Sequence, residues 1–247
     1  MKFKQCLLAA AAGLAFGLGA TASHAAATHV FDTSNTVNIP GLTGFSTTGA
    51  MMNGMLVTAT FTDGSSQTLA WGATGADSGG VFGTGWSLTQ AGDTFVGIDV
   101  APQGRWVFTN SSTTTPAPLV LQTLYLQGGA GLTLFDVDMY DNCTSYAASG
   151  FDNECTTGSA RGSRFRFLGN ETAEVTYSDA LAVIPAGALG DIFHNMLIDF
   201  GPNGIRTDFR FDQDTDNDAR LLIPEPGALA LVGLALAGLG LSRRRRG

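Results

Sequence analysis

The feature that most limits the fold is a repeated alternation of apolar and polar residues in short runs between Ala26 and Ile223. Leu56–Thr62 alternates in this way and stops at Asp63-Gly64, a pair typical of β-hairpin turns, after which Gln67–Trp71 is predicted to return beside it. Because successive side chains of a strand point to opposite faces, each run can bury one face and leave the other in water. The chain is therefore predicted to fold as strands rather than helices.

Ten runs of this kind are expected to form strands. They are Leu56–Thr62, Gln67–Trp71, Thr94–Val100, Arg105–Thr109, Leu119–Leu126, Leu132–Val137, Arg164–Leu168, Ala173–Tyr177, Ile192–Phe200 and Ile205–Phe211. Antiparallel strands joined by short turns bury their apolar faces as two packed sheets, which predicts an all-β antiparallel sandwich, jelly-roll-like, as one domain over residues 26–222.

Three details of this prediction depend on composition. Leu119–Leu126 and Leu132–Val137 are the most apolar runs and are expected to lie centrally in a sheet. Ile192–Phe200 is compatible with either a strand or a helical turn. Thr74–Gly85 is rich in Gly and Ser, which predicts a loop.

The charge of the predicted domain limits its partners. Residues 26–223 contain seven arginines, no lysine and twenty aspartates or glutamates, a formal charge of −13. Because nucleic acid binding needs a basic face, this composition argues against a nucleic acid partner. It is compatible with cation binding.

The three tryptophans are expected to fill the core between the sheets. Trp106 lies within an alternating run, and Trp71 is the last residue of the predicted returning strand. Trp86 adjoins the Gly-rich stretch and is the best candidate for an exposed aromatic side chain that stacks on a sugar ring.

Cys143 and Cys155 are the two cysteines that follow the N-terminal segment. In an oxidising compartment an even pair twelve residues apart predicts a disulfide, with two free thiols as the alternative. Around this pair Asp136, Asp138, Asp141, Asp152 and Glu154 form either a solvated acidic rim or a cation site.

A second acidic run is Asp212-Gln213-Asp214-Thr215-Asp216-Asn217-Asp218. Carboxylates at every second residue can surround a calcium ion if the backbone curls, which makes Asp212, Asp214, Asp216 and Asp218 candidate ligands. The bidentate Glu expected at the twelfth position is absent, because Ile223 stands there. The alternative is a charged, exposed end of the last strand.

Catalytic motifs are absent from the sequence. It contains no G-x-S-x-G, no H-E-x-x-H and no glycine-rich phosphate loop, and His194 is isolated from other catalytic residue types. The domain is therefore expected to be non-enzymatic. A carboxylate pair for glycoside hydrolysis is the residual enzymatic alternative.

Both ends of the chain carry features of export. Residues 1–25 have a basic start at Lys2 and Lys4, an apolar stretch, and small residues at Ser23 and Ala25, as in a secretory signal peptide cleaved after Ala25 by signal peptidase.

Near the other end, fifteen Gly, Ala, Leu and Val residues run from Gly227 to Leu241. As a helix they would be about 22 Å long, which is short for a bilayer core of about 30 Å. This predicts a short transmembrane helix.

The apolar run has distinctive flanks. Pro224, Glu225 and Pro226 precede it, and the basic cluster Arg243, Arg244, Arg245 and Arg246 follows Ser242. By the positive-inside rule the arginines stay in the cytoplasm and the preceding domain lies outside.

This order of parts, over residues 223–247, resembles the PEP-CTERM sorting signal of Gram-negative bacteria. The resemblance implies export, recognition by a membrane-embedded exosortase near Pro-Glu-Pro, removal of the tail, and only transient anchoring in the inner membrane. It also implies a place at the cell surface or in the extracellular matrix, associated with exopolysaccharide and biofilm. The alternative for the domain is a carbohydrate-binding module with a defined sugar site, with or without calcium.

Overall fold

The computed structural model describes residues 27–39, 42–43, 47–95, 103–111, 119–137, 162–183 and 188–218. In these ranges the chain forms sixteen strands and two short 3-10 helices, Gly49–Met52 and Gly128–Gly131. The strands are β1 (Ala27–Phe31), β2 (Thr36–Ile39), β3 (Leu42–Thr43), β4 (Leu56–Phe61), β5 (Ser66–Ala70), β6 (Gly72–Ala73), β7 (Ser78–Gly83), β8 (Trp86–Ala91), β9 (Trp106–Asn110), β10 (Leu121–Gln127), β11 (Thr133–Asp136), β12 (Arg166–Phe167), β13 (Ala173–Val183), β14 (Ala188–Asp199), β15 (Phe209–Asp212) and β16 (Asp214–Asp218).

The strands form two sheets, of ten and six strands, and the predicted all-β sandwich is confirmed. In the larger sheet β14 is the central strand. One of its edges pairs with β13, and the other pairs with β10 along one half and with β11 along the other half. The sheet continues from β10 to β4 and β5, and from β11 to β16 and β3. The smaller sheet has the order β12-β15-β9-β8-β7-β6.

The predicted hairpin and the predicted central strands are confirmed. β4 alternates between half-buried and buried residues and pairs antiparallel with β5. Gly64 adopts the left-handed region at φ 84°, and the Asp63 carboxylate accepts the Ser65 amide at 2.9 Å, which closes the turn. β10 and β11 lie between other strands of the larger sheet, as their apolar composition predicts.

The N-terminal strands add pairings that the alternation pattern did not predict. β1 pairs in parallel with β13, and Ala27 lies opposite Ala173. β2 pairs in parallel with the other end of the same strand, where Val37 lies opposite Leu181. The predicted strand at Ile192–Phe200 is part of the longer β14, which excludes the helical alternative.

The prediction of a loop over Thr74–Gly85 is wrong, because β7 crosses it and pairs with β8 along its whole length. Here the glycines serve packing rather than flexibility. A Cβ on Gly79 would overlap the Gly49 backbone and the indole nitrogen of Trp71, and a Cβ on Gly83 would overlap the indole of Trp86. The missing side chains therefore provide the space that two tryptophans fill.

The main core lies between the sheets and is rich in aromatic rings. Trp71 and Trp106 have ring centroids 5.4 Å apart, Trp106 stacks on Phe211 at 5.4 Å, and Trp86 stacks on Phe108 at 6.0 Å. All three tryptophans are at most 1% exposed, which confirms that they fill the core. A smaller cluster lies on the opposite face of the larger sheet and contains Ile39, Leu134, Leu181 and Ile192.

Candidate functional site

The acidic run 212–218 crosses from one sheet to the other. Asp212 ends β15 in the smaller sheet, Gln213 forms the corner, and β16 begins at Asp214 in the larger sheet. All seven residues are buried, at 1% exposure or less. Neither the expected curled loop nor the alternative of an exposed strand end is therefore correct.

Gln213 makes several of the buried hydrogen bonds at this corner. Its side-chain oxygen accepts the Tyr177 hydroxyl at 2.5 Å, and its amide donates to the carbonyls of Asp214 at 2.8 Å and Ser163 at 3.2 Å. Its own carbonyl accepts the Trp106 indole N–H at 3.0 Å. Burial raises the pKa of Tyr177, so its hydroxyl stays protonated and able to donate.

Asp212 is separated from the other three predicted calcium ligands by this corner. Its carboxylate accepts the backbone N–H of Gln103 at 2.6 Å and that of Arg105 at 3.1 Å. Both oxygens thus hold the loop that leads into β9, and the side chain has a clear structural role.

Asp214 and Asp216 lie on the face of β16 opposite the main core. Thr215, between them, points inward and places its hydroxyl 3.7 Å from the Met52 sulfur. Antiparallel pairing with β11 sets Asp136 opposite Asp214 and Leu134 opposite Asp216. Three carboxyl groups therefore share one buried face, so the expected solvated rim is wrong for Asp136.

The electrostatics of this face favour protonated carboxyl groups. Burial raises the pKa of Asp214 well above its usual value, and the neighbouring charge of Asp216 raises it further, while the Thr94 hydroxyl and the Thr215 amide partly offset these effects. Burial raises the pKa of Asp216 to about 7, with the Asp93 charge adding to the rise.

Asp216 lies within hydrogen-bonding reach of a second carboxyl group. Asp136 is the neighbouring carboxyl, and its hydrogen bond to Asp216 lowers the Asp216 pKa. Since two carboxyl groups can form a hydrogen bond only when one is protonated, this pair can share a proton. Within the described ranges, no three His, Cys, Asp or Glu side chains converge in a way that could hold a metal ion. Calcium binding by Asp212, Asp214, Asp216 and Asp218 stays a prediction.

A second feature is the outward surface of the smaller sheet, which we call the outer sheet face. It is defined by Phe82 on β7, Ser87 and Thr89 on β8, and Val107 and Thr109 on β9. Phe82 pairs with Ser87, Ser87 with Thr109, and Thr89 with Val107, so the five side chains share one face. None of the five is charged.

Phe82 is the aromatic residue of this face. It is 63% exposed, whereas Trp86, four residues later, is 1% exposed and stacked on Phe108. The expectation that Trp86 presents its ring to a sugar is therefore wrong. Because side chains alternate along a strand, Trp86 faces the core while Ser87 faces outward.

A groove of about 370 Å³ adjoins the outer sheet face at β9 and β15, and we call it the Arg210 groove. Its lining includes Val107, Thr109, Leu168, Glu171, Asp208 and Arg210. Asp208 and Arg210 are exposed, and Asp208 accepts the Asn110 amide at 2.7 Å through one oxygen. Glu171 has one buried carboxylate oxygen that receives no hydrogen bond from the described residues. Because this oxygen is covered, a ligand could bond to it only if the Glu171 side chain moved.

Other predicted site residues lie outside the described residues. These are Cys143 and Cys155, the signal peptide, the tail with Pro224, Glu225, Pro226 and Arg243–Arg246, and the rest of the predicted acidic group, Asp138, Asp141, Asp152 and Glu154. Their disulfide, cleavage and membrane roles stay predictions from sequence. In the part of the chain that the structure describes, no helix is long and apolar enough to span a membrane.

The chain is thus an all-β sandwich protein followed by a C-terminal sorting signal. Residues 222–246 match the family model of the PEP-CTERM protein-sorting motif. The chain thus carries a PEP-CTERM motif, which implies export through a membrane-anchored intermediate to the cell surface and processing by an exosortase. No curated protein and no solved structure matches the chain.

Sequence reasoning missed Gln213, Phe82 and Glu171. A glutamine between two aspartates carries no pattern that indicates a corner between sheets. Phe82 had a usable signal, because Val81-Phe82 interrupts the Gly-rich stretch, and an alternating register beginning at Val81 sends Phe82 outward. Glu171 depends on a groove formed by strands distant in sequence.

Proposed function

We propose that the protein is an exported, exosortase-processed component of the cell surface or extracellular matrix of a Gram-negative bacterium, whose β-sandwich associates with exopolysaccharide and biofilm without catalysing a reaction. The observation that carries this proposal is the PEP-CTERM motif at residues 222–246. A sorting signal delivers its domain to the outside of the cell, where polysaccharide is an abundant partner. The domain that this signal would deliver is an all-β sandwich.

The state of His29 supports the non-enzymatic part of the proposal. Its Nε2 donates to the Phe165 carbonyl at 3.0 Å, and its ring stacks on Phe31 and Tyr177 at 6.4 and 6.3 Å. Burial lowers its pKa, so the ring is neutral at physiological pH. A histidine held in this way packs β1 against the core rather than serving as a general base.

Replacing Pro224, Glu225 and Pro226 together with alanine tests the sorting step. The apolar helix and the arginines remain, so the variant is expected to reach the membrane and stay there as a heavier, uncleaved precursor. The size and location of the protein are measured by immunoblotting with an antibody to the sandwich. Membrane, surface and medium fractions from equal numbers of cells are compared.

Two controls define the result. Wild-type protein in a strain lacking the exosortase should give the same membrane-retained precursor. A variant with only Arg243→Lys keeps the positive charge and should be processed normally. If the alanine variant is distributed and sized like the wild type, the proposed sorting is contradicted.

A further inference from the structure

We propose that the outer sheet face and the adjoining Arg210 groove together form a binding site for a neutral, hydroxyl-rich glycan chain. This inference rests on the proposed association with exopolysaccharide and gives it a location and a ligand class. The site runs from Phe82 on β7 to Leu168 beside β12. These strands are four positions apart in the sheet, a span of roughly 19 Å at normal strand spacing.

The middle of the site fits an uncharged polar ligand. Ser87, Thr89 and Thr109 present half-buried side chains with hydroxyl groups that both donate and accept hydrogen bonds. Across the three paired strands, the residue between Phe82 and Thr109 is Ser87, which is uncharged. Phe82 supplies an apolar ring with 63% of its surface in water, on which the C–H face of a sugar can pack.

The groove adds fixed hydrogen-bonding groups. The free buried oxygen of Glu171 lacks a donor in the described structure, and leaving such an acceptor unpaired costs free energy. A Cβ on Gly169 would overlap the Glu171 carboxylate, so this glycine provides the room that the side chain occupies. A sugar that enters the groove would meet the half-buried Glu171 carboxylate and the exposed Arg210 guanidinium as hydrogen-bonding groups.

Charge excludes a polyanionic chain as the occupant. The groove contains Asp208 and Glu171 against Arg210, and residues 26–223 as a whole carry a formal charge of −13. A chain with many carboxylates or sulfates would be repelled at low ionic strength. A carboxylate oxygen also accepts a hydrogen bond from a hydroxyl group, whereas it repels another anion.

A protein partner fits this surface less well. A stable protein interface buries about 800 Å² on each partner around apolar anchors. The described part of this face has two exposed large hydrophobic side chains, Phe82 and Leu168, and they lie at opposite ends. An extended glycan, which contacts polar groups along its length, matches this distribution.

The test is affinity electrophoresis and calorimetry with full-length protein purified from the membranes of an exosortase-deficient strain. The neutral probes are a linear glucan, a galactomannan, an arabinoxylan and a galactan, and the acidic probes are alginate and polygalacturonate. At least one neutral glycan is expected to bind saturably, and about tenfold more tightly than either acidic polymer in 10 mM salt. If none of the neutral glycans binds, or if the acidic polymers bind as tightly, the proposal is overturned.

Variants locate the site. Phe82→Ala is expected to weaken binding about tenfold and Glu171→Ala about fivefold, because each removes one contact from a small site. Val30→Ala is the matched control, since Val30 is 39% exposed on β1 in the other sheet, and it should bind like the wild type. Unchanged affinity in Phe82→Ala, with far-ultraviolet circular dichroism showing that all variants are folded, would overturn the assignment.

Glycan binding can be tested independently of the sorting proposal. Phe82→Ala produced in a strain with a working exosortase should be processed and exported like the wild type, because Phe82 lies far in sequence from residues 222–246. Normal export with unaltered glycan binding would count against the site alone. Release of reducing sugar from a bound glycan, abolished by Glu171→Gln, would contradict the non-enzymatic proposal.

Discussion

Replacing Gln213 with alanine is expected to lower the free energy of unfolding by about 3–5 kcal/mol, because the change removes the shared hydrogen-bond partner of several buried groups. Tyr177 would lose the acceptor for its hydroxyl, and the carbonyls of Ser163 and Asp214 would each lose one donor. All of these groups are at the corner where β15 passes into β16, so water cannot easily replace the lost partner. The midpoint temperature should fall by roughly 10 °C for a domain of this size.

Urea unfolding monitored by tryptophan fluorescence measures this effect, since Trp71, Trp86 and Trp106 are all buried. Gln67→Ala is the matched control. Gln67 also bonds to main-chain atoms, those of Thr84, but at an exposed position, so its replacement should cost less than about 1 kcal/mol. Equal losses for the two variants would mean that Gln213 does not hold the two sheets together.

Raising the pH from 5 to 8 is expected to destabilise the sandwich through Asp214 and Asp216. Both pKa values are raised above the usual 3.8, so the folded state binds protons more tightly than the unfolded state. Their contribution to stability is complete below about pH 4 and is lost as the pH rises through about 7. For Asp216, a rise from 3.8 to about 7 corresponds to at most about 4 kcal/mol at 1.36 kcal/mol per pKa unit.

Other carboxyl groups with shifted pKa values affect stability in a different pH range. Hydrogen bonds from Ser34 and Ser65 lower the pKa values of the exposed residues Asp32 and Asp63, so their contribution is lost only as the pH falls below about 4. Between pH 5 and 8 His29 acts in the opposite direction, because burial lowers its pKa and its contribution to stability grows as the pH rises through 6.5. The buried pair is expected to outweigh it, since two carboxyl groups with raised pKa values oppose one histidine. The pH of greatest stability is expected near 4 to 5.

Asp216→Asn tests this assignment, because asparagine has nearly the same shape and no negative charge. The variant should be more stable than the wild type at pH 8 and should show a flatter dependence of the unfolding midpoint on pH. Asp77→Asn, on an exposed turn, is the control and should follow the wild-type curve. A variant that keeps the wild-type slope between pH 5 and 8 would show that Asp216 is not a source of the pH dependence.

Sequence predicted the parts of the fold that depend on local signals. The β4–β5 hairpin follows from alternation and from Asp63-Gly64, and β10 and β11 are central because their side chains are mostly apolar. The parallel pairing of β1 with β13 joins Ala27 to Ala173, and no local pattern specifies a contact between such distant residues. Its discovery required the structure.

The errors have a common physical cause, which is that tertiary packing overrides local propensity. Glycine usually indicates a loop, but Gly79 and Gly83 lie in a strand because neighbouring indoles occupy the space of a side chain. Aspartates usually indicate exposure, but Asp214 and Asp216 are buried on a sheet face where protonation offsets the cost of burial. Composition alone describes neither situation.

The sorting signal was the most predictable functional feature, because its parts are contiguous. A proline pair, an apolar run and an arginine cluster can be recognised without a fold, and the match to residues 222–246 agrees with that recognition. The glycan site proposed on the outer sheet face was not predictable in this way. Phe82, Thr109 and Glu171 come together only through the order of strands in the smaller sheet.

The central claim is that the tail is a sorting signal that an exosortase recognises and then removes. Its most direct test is the intact mass of the protein recovered from the outside of cells with a working exosortase. The mass should correspond to a chain that lacks residues 1–25 and ends near Pro224-Glu225-Pro226, allowing for any attached glycan. A mass that still includes Gly227–Leu241 and the four arginines would contradict this account.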